Sequence, residues 1–248
     1  MDLGLKDKRA AIAASSAGLG RSAAKALAGE GCRIVMCGRD ADRIEAAAAE
    51  VGHGAVGLVA DVGTPDGATD FVMQATERLG GLDVLVTNAG GPPPGTFATT
   101  PVDAYAEALD LNLTSVVAMC KAAVPAMQAQ GWGRVVAITS ISVRQPIANL
   151  ILSNTARAGV TGFLKTLARE VAGDGVTVNS IQPGYHETAR LTAAMGHDLE
   201  QVAAEVPAGT IGDPDDFGRV IAFLCSTSAA YITGAALPVD GGVYSGLQ

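Results

Sequence analysis

Aromatic side chains are scarce in this sequence: one Trp, four Tyr and five Phe make up 4% of its 248 residues. Large rings therefore cannot fill the core, and alanine together with 31 glycines must bring backbones close. Cysteine is limited to Cys32, Cys37, Cys120 and Cys225, whose spacing suits neither a disulfide framework nor a zinc site. They read as buried free thiols of a reducing cytoplasm. His53 and His197 stand alone, without companions at metal-ligand spacing, so no metal is expected. Basic residues are outnumbered, 17 Lys and Arg against 25 Asp and Glu, and they form no run. The net charge of −8 argues against a nucleic-acid partner and against adsorption to a membrane surface. No apolar run approaches the length of a membrane span. The start, MDLGLKDKRAAIAASS, has too short an apolar core for a signal peptide and reads better as a first buried strand.

What is present is an alternation. Short apolar runs at Arg9–Ala14, Arg33–Cys37, Ala55–Val59, Val84–Thr87, Arg134–Thr139, Val176–Ile181 and Ala236–Val239 suit strands buried on both faces. Between them lie amphipathic stretches such as Arg21–Gly29, Ala41–Val51 and Pro65–Leu79, with Gly31, Gly52 and Gly80 at or just past their ends. This pattern predicts an α/β fold: a Rossmann-like, doubly wound parallel sheet of about seven strands with helices on both faces. No linker or repeat divides the chain, so residues 1–248 read as one dinucleotide-binding domain.

The first strand runs into AASSAGLGRSAAKALA at residues 13–28. Gly18 and Gly20, with Leu19 between them, fall where strand turns into helix, and free N–H groups there can hold a pyrophosphate. Ser15 and Ser16 could add hydroxyl contacts. Ala14 takes the place of the first glycine that such turns often carry. After the second strand, Arg39 suits the 2′-phosphate of NADP better than the 2′-hydroxyl of NAD, which stays possible. Asp40 weighs the other way, unless it serves as the N-cap of the next helix.

These motifs, in this order, resemble the short-chain dehydrogenase/reductase superfamily over nearly the whole chain. SSAGLG is similar to the family's glycine-rich turn, and Asp61-Val62 to the segment that meets the adenine. Asn88-Ala89-Gly90 resembles the asparagine motif after the fourth strand. Asn112 matches the active-site asparagine and Ser140 the serine that bonds the substrate carbonyl. Pro183-Gly184 with Thr188 matches the segment that holds the nicotinamide carboxamide. The resemblance implies a substrate lid over residues 185–210, where Leu191, Met195, Leu199 and Val202 give either an apolar lining or the buried face of a lid helix. It also implies a homotetramer or homodimer built through Val102–Gln130 and Ser153–Ala172.

One departure is large. The family carries a tyrosine thirteen residues after the serine and a lysine four residues later; here those places hold Ser153 and Arg157. Positions i and i+4 share a helix face, so both should face the nicotinamide. A phenol with a pKa of about 10 can protonate an alkoxide, whereas an aliphatic hydroxyl is a far poorer acid, and arginine does not shuttle protons. Tyr185, His186 or a water relayed between Ser153 and Asn112 could supply the proton. Of the two adjacent rings, Tyr185 is expected at the pocket and His186 in solvent. The first expectation is an atypical NADP(H)-dependent oxidoreductase interconverting a ketone and a secondary alcohol, similar to 3-oxoacyl-carrier reductases. A lyase, isomerase or cyclase on the same fold and a cofactor-binding protein without turnover are the alternatives.

Overall fold

The computed structural model describes residues 2–195 and 198–247; His197 and the side chain of Met195 lie outside the described residues. Seven strands form one parallel sheet: β1 (Arg9–Ile12), β2 (Arg33–Gly38), β3 (Val56–Val59), β4 (Val84–Thr87), β5 (Gly133–Ile138), β6 (Val176–Pro183) and β7 (Ala236–Val239). Their order is β3-β2-β1-β4-β5-β6-β7, with every neighbouring pair parallel. Strands β4 and β5 are buried along their whole length, which explains their unbroken apolar runs. The order reverses between β1 and β4, so a crevice opens outside the carboxyl ends of these strands.

Helices α1 (Gly18–Gly29), α2 (Ala41–Val51), α3 (Pro65–Leu79), α4 (Ala104–Leu109), α5 (Ser115–Ala129), α6 (Ile151–Val171), α7 (Ala189–Met195), α8 (Leu199–Glu205) and α9 (Pro214–Cys225) flank the sheet. The apolar stripes of α1, α2 and α9 cover one face around Phe217 and Ile12. Those of α3, α5 and α6 cover the other around Phe71 and Met119. The small residues Ala23, Ala24, Ala28 and Gly218 let α1 and α9 approach; a Cβ at Gly218 would strike the Ser22 backbone. Gly52 and Gly80 take positive φ, 70° and 73°, as the C-caps of α2 and α3.

One expectation changes here. The helical stretch Ala104–Ala129 is long and apolar enough, by length and composition alone, to cross a membrane, although no such run was expected. Its apolar residues are interleaved with Asp110, Thr114 and Ser115, so the run is hidden in the sequence; in this fold α5 packs against α3 and α6. The lid segment carries α7 and α8, with Val202 buried and Leu191 and Leu199 half-buried. The four cysteines are free and buried, and burial pushes the thiols of Cys32, Cys37 and Cys120 up to about 12.

Candidate active site

The turn after β1 is built around close backbone approaches. Ala14 sits at φ 44°, a left-handed conformation costing a non-glycine residue about 1–2 kcal/mol. The Asn88 amide donates to the Ala14 carbonyl at 3.0 Å and fixes the turn against the end of β4. A Cβ on Gly20 would stand 2.8 Å from both that carbonyl and that amide, so only glycine fits. Helix α1 then starts at Gly18 with Ala17 as N-cap, no side-chain cap and no acid in its first turn. By contrast, Asp40, Thr64 and Asp213 cap α2, α3 and α9. The first N–H groups of α1 are therefore left for a phosphate. Thr188 meets this turn: its methyl lies 3.7 Å from where a Gly18 Cβ would be.

The serines divide. Ser15 was expected to contact the cofactor, but it is fully buried; its hydroxyl donates to the Ile12 carbonyl at 2.8 Å and accepts from the Cys37 N–H at 3.3 Å. It joins β1 to β2 and has no surface to offer a ligand. Ser16 is half-buried and lies over Gly38, where a Cβ would stand 3.0 Å from its own Cβ. Val62 directs its side chain into one core, and the half-buried Leu19 packs against the other. Arg39 is exposed at the end of β2. Asp40 spends a carboxylate oxygen on the Arg43 N–H at 2.9 Å, which is the capping role. Asp61 is exposed and accepts from the Gly63 N–H at 2.9 Å. Ala89 and Gly90 line the loop beyond β4, Ala89 half-buried and Gly90 exposed. Gly184 accepts no substitution, because a Cβ would press on Asp240 at 2.7 Å.

Asn112 sits on a π-helical turn, Asp110–Thr114, between α4 and α5. Such single turns often mark functional positions. Its amide donates to the Gly90 carbonyl at 2.8 Å, while its Oδ1 is buried with no protein partner. Ser140 follows β5 and accepts from the Ser142 N–H at 3.1 Å, so its own hydrogen stays free to donate. On α6, Ser153 and Arg157 are both buried, and the Arg157 Nε donates to the Ser153 Oγ at 3.3 Å. The Arg157 Nη1 donates to the Thr139 and Ile138 carbonyls at 3.1 and 3.3 Å. The guanidinium thus ties α6 to the end of β5. Burial, and next the charge of Arg190, lower its pKa to about 10, so it remains cationic at neutral pH.

Of the two adjacent rings, His186 departs from expectation. His186 is buried, not solvent-exposed: it stacks edge-on against Phe217 at 4.8 Å, and Nδ1 lies 3.4 Å from the Gly184 carbonyl. Gly212 makes room for it, since a Cβ there would stand 2.8 Å from the ring. Burial lowers its pKa below the ordinary imidazole value, and the ring packs on Phe217 rather than in solvent. Tyr185 is half-buried, and its hydroxyl makes no hydrogen bond among the described residues.

Sequence reasoning passed over four residues. Among the described residues, five buried side chains keep polar atoms without a partner: Thr87, Asn112, Ser142, Thr177 and Gln182. Four of them cluster by position at the carboxyl side of the sheet: Thr87 ends β4, Ser142 follows β5, Gln182 nearly ends β6, and Asn112 reaches Gly90; Thr177, near the start of β6, is the exception. Gln182 is 0% exposed with both amide atoms unused. Arg190, the fourth residue missed, lies against Gly91, where a Cβ would collide with its guanidinium. Gln182 was legible only as the residue before Pro183, and Arg190 as a charge two residues after Thr188.

The sequence model of a family described as enoyl-(acyl carrier protein) reductase matches residues 13–244. The 3-oxoacyl-(acyl-carrier-protein) reductase FabG of Vibrio cholerae is 33% identical over 242 residues, covering 98% of this chain and 99% of the relative. This chain belongs to the short-chain dehydrogenase/reductase superfamily. FabG of Escherichia coli is 32% identical over the same shares. Among solved members of the superfamily, L-sorbose reductase from Gluconobacter frateurii, complexed with NADPH and L-sorbose, superposes with a TM-score of 0.93 at 33% identity, covering 100% of both chains. An actinorhodin polyketide ketoreductase with NADPH gives a TM-score of 0.91 at 30% identity, covering 97% of this chain and 98% of that one.

Proposed function

We propose that this short-chain dehydrogenase/reductase is an NADPH-dependent carbonyl reductase that works without the family's tyrosine and lysine, Ser153 and Arg157 taking their places. One observation carries the reading: Ser140, Ser153 and Arg157 stand around the end of β5, each serine with its oxygen accepting and its hydrogen uncommitted. Relatives named as 3-oxoacyl reductase, sorbose reductase with NADPH and polyketide ketoreductase with NADPH support the reaction class and the cofactor.

The residues present fit a dinucleotide. The uncapped start of α1 with Gly18 and Gly20 would hold the pyrophosphate, Arg39 the 2′-phosphate, and Asp61, Val62, Ala89 and Gly90 the adenosine side. Pro183, Gly184 and Thr188 would flank the nicotinamide, and Arg157 its ribose. NADPH bound there supplies a hydride. Ser140 donates its free hydrogen to the substrate carbonyl oxygen and orients it. The Arg157 guanidinium places a fixed positive charge near the developing alkoxide and, by donating to the Ser153 Oγ, favours release of the serine proton. Asn112 offers its unpartnered Oδ1 to a water that reprotonates Ser153. Tyr185 is the second candidate donor. The missing phenol costs about 10²–10⁴ in rate relative to a site that has one.

Fluorescence titration with NADPH followed by its consumption across a panel of ketones tests this reading. Cofactor binding with slow, Ser140-dependent reduction is the expected result, and Tyr185→Phe leaving the rate intact excludes Tyr185 as the proton donor. Absence of NADPH binding would remove the reading. We also infer a homotetramer or homodimer formed through α4–α5 and α6, which light scattering on the purified protein would check.

A further inference from the structure

Ser153 differs from a tyrosine in reach as well as in acidity. Its hydroxyl stands one bond beyond Cβ and cannot swing toward a substrate, so the backbone has to bring it there. Ser153 is the third residue of α6, a helix that starts without a side-chain cap on Leu150. A segment distant in the chain supplies what that cap does not. The Gly95 carbonyl accepts the Ile151 N–H at 3.2 Å, and the Gly95 N–H donates to the Asn149 carbonyl at 2.7 Å. Gly95 and Leu150 thus pair as an isolated parallel bridge. Pro92, Pro93 and Pro94 stiffen the approach to Gly95, and a Cβ on Gly95 itself would collide with the Thr100 hydroxyl. From within α6, Asn154 grips the same loop. Its amide donates to the Ile147 carbonyl at 2.9 Å, and its Oδ1 accepts the Ile147 N–H at 3.4 Å. The segment between Ser140 and Ser153 is therefore pinned at Ile147 by the residue next to Ser153, and at Asn149 and Ile151 by Gly95.

We propose that Asn154, together with the Gly95 bridge, is the positioning residue of Ser153: it holds the first turn of α6 where the short serine hydroxyl meets the reacting oxygen. The inference rests on reading Ser153 as part of the carbonyl-reducing site. Successive helical residues point about 100° apart, so Asn154 turns off the face that carries Ser153 and Arg157 and acts only through the backbone. Without the clamp, Arg157 keeps its bonds to the Ile138 and Thr139 carbonyls one turn further on, and the cofactor side stays in place. The first turn of α6, with Ser153 on it, is what loosens.

A double-mutant cycle tests this, because a residue that acts through Ser153 has nothing to act on once the serine is gone. Asn154 is half-buried on a helix and alanine is the best helix former, so Asn154→Ala should fold. Single-turnover hydride transfer from NADPH to a ketone should fall about tenfold to a hundredfold in Asn154→Ala, as for a reacting group misplaced by up to about 1 Å, with NADPH affinity unchanged. Added to Ser153→Ala, the same change should cost nothing further. Amide hydrogen exchange gives a readout that needs no turnover: Gly95 and Ile151 should exchange about tenfold faster in Asn154→Ala, because the bridge is free to open. Asn154→Asp, which keeps an acceptor for the Ile147 N–H and loses the donor to its carbonyl, repeats both measurements with the same direction expected. An unchanged rate or unchanged exchange in Asn154→Ala, equal losses with and without Ser153, or a matching loss of NADPH affinity would each overturn the proposal. Ser153→Ala transferring hydride as fast as the natural chain would instead remove the reading of Ser153, and its positioning residue with it, even where the exchange result is as expected.

Discussion

With Thr177 as the exception, the two ends of the parallel sheet treat polar groups in opposite ways. At the amino end, Asp83 receives the Arg9 guanidinium through two bonds of 2.8 Å, and Gln130 closes the network onto Arg9, Asp83 and the Leu82 and Trp132 carbonyls. Nearby, Arg134 spends its donors on the Gly133, Gly175 and Ser226 carbonyls and lies 4.4 Å over the Trp132 ring. At the carboxyl end, Thr87, Asn112, Ser142 and Gln182 keep buried polar atoms unpaired, Ala14 is held in a strained conformation, and the buried Arg157 has no acid bonded to it. The same sheet thus carries one end settled for stability and one end held ready for a ligand. Unmet hydrogen-bonding capacity collected in one place, together with backbone strain, is what a preorganised site costs its fold.

The contrast can be broken from either side. The largest stability effect is expected from Asp83→Ala, which leaves Arg9 unpaired and should cost about 2–3 kcal/mol in urea unfolding without changing NADPH affinity. Burial pushes the Asp83 carboxyl up, but the hydrogen bonds and charge of Arg9 outweigh it and hold the group below its ordinary value. Its stabilisation is therefore complete above the unfolded pKa and fades as pH falls through the lower folded one. Acid sensitivity should accordingly shrink in Asp83→Ala. At the other end, Gln182→Met should raise stability by about 1–2 kcal/mol while lowering turnover, because an unpaired amide is replaced by a group that needs no partner. A loss of stability there would mean that Gln182 is satisfied and that the contrast is overstated. Ala14→Gly should stabilise by about 0.5–1 kcal/mol, since glycine adopts the positive φ without strain. The smallest expected effect is none at all: with Arg157 titrating only near about 10, NADPH affinity should stay flat from neutral pH to about pH 9 and fall beyond it.

The fold was legible because its signals are local. Continuous apolar runs, amphipathic stretches and glycines after helices mark β1 to β7 and α1 to α3 nearly to the residue. The site was legible in outline, through the spacing of Ser140, Ser153 and Arg157. What failed was direction. Nothing local shows that the Ser15 hydroxyl turns inward to Cys37, which lies on the neighbouring strand. The place of His186 is set by Phe217 and Gly212, which lie beyond α7 and α8 in the chain, so adjacency to Tyr185 could not reveal it. Gln182 looked like one more strand residue, and Arg190 like one more surface charge, because both acquire meaning only from what surrounds them in space.

The most direct trial of the account is single-turnover hydride transfer from NADPH to one ketone, compared between the natural chain and the Ser153→Tyr, Arg157→Lys double variant at matched NADPH occupancy. A gain of about 10²–10⁴ in the double variant is the predicted result, the phenol restoring an acid that the serine replaces poorly. A natural chain that transfers hydride as fast as the double variant, or faster, would contradict it.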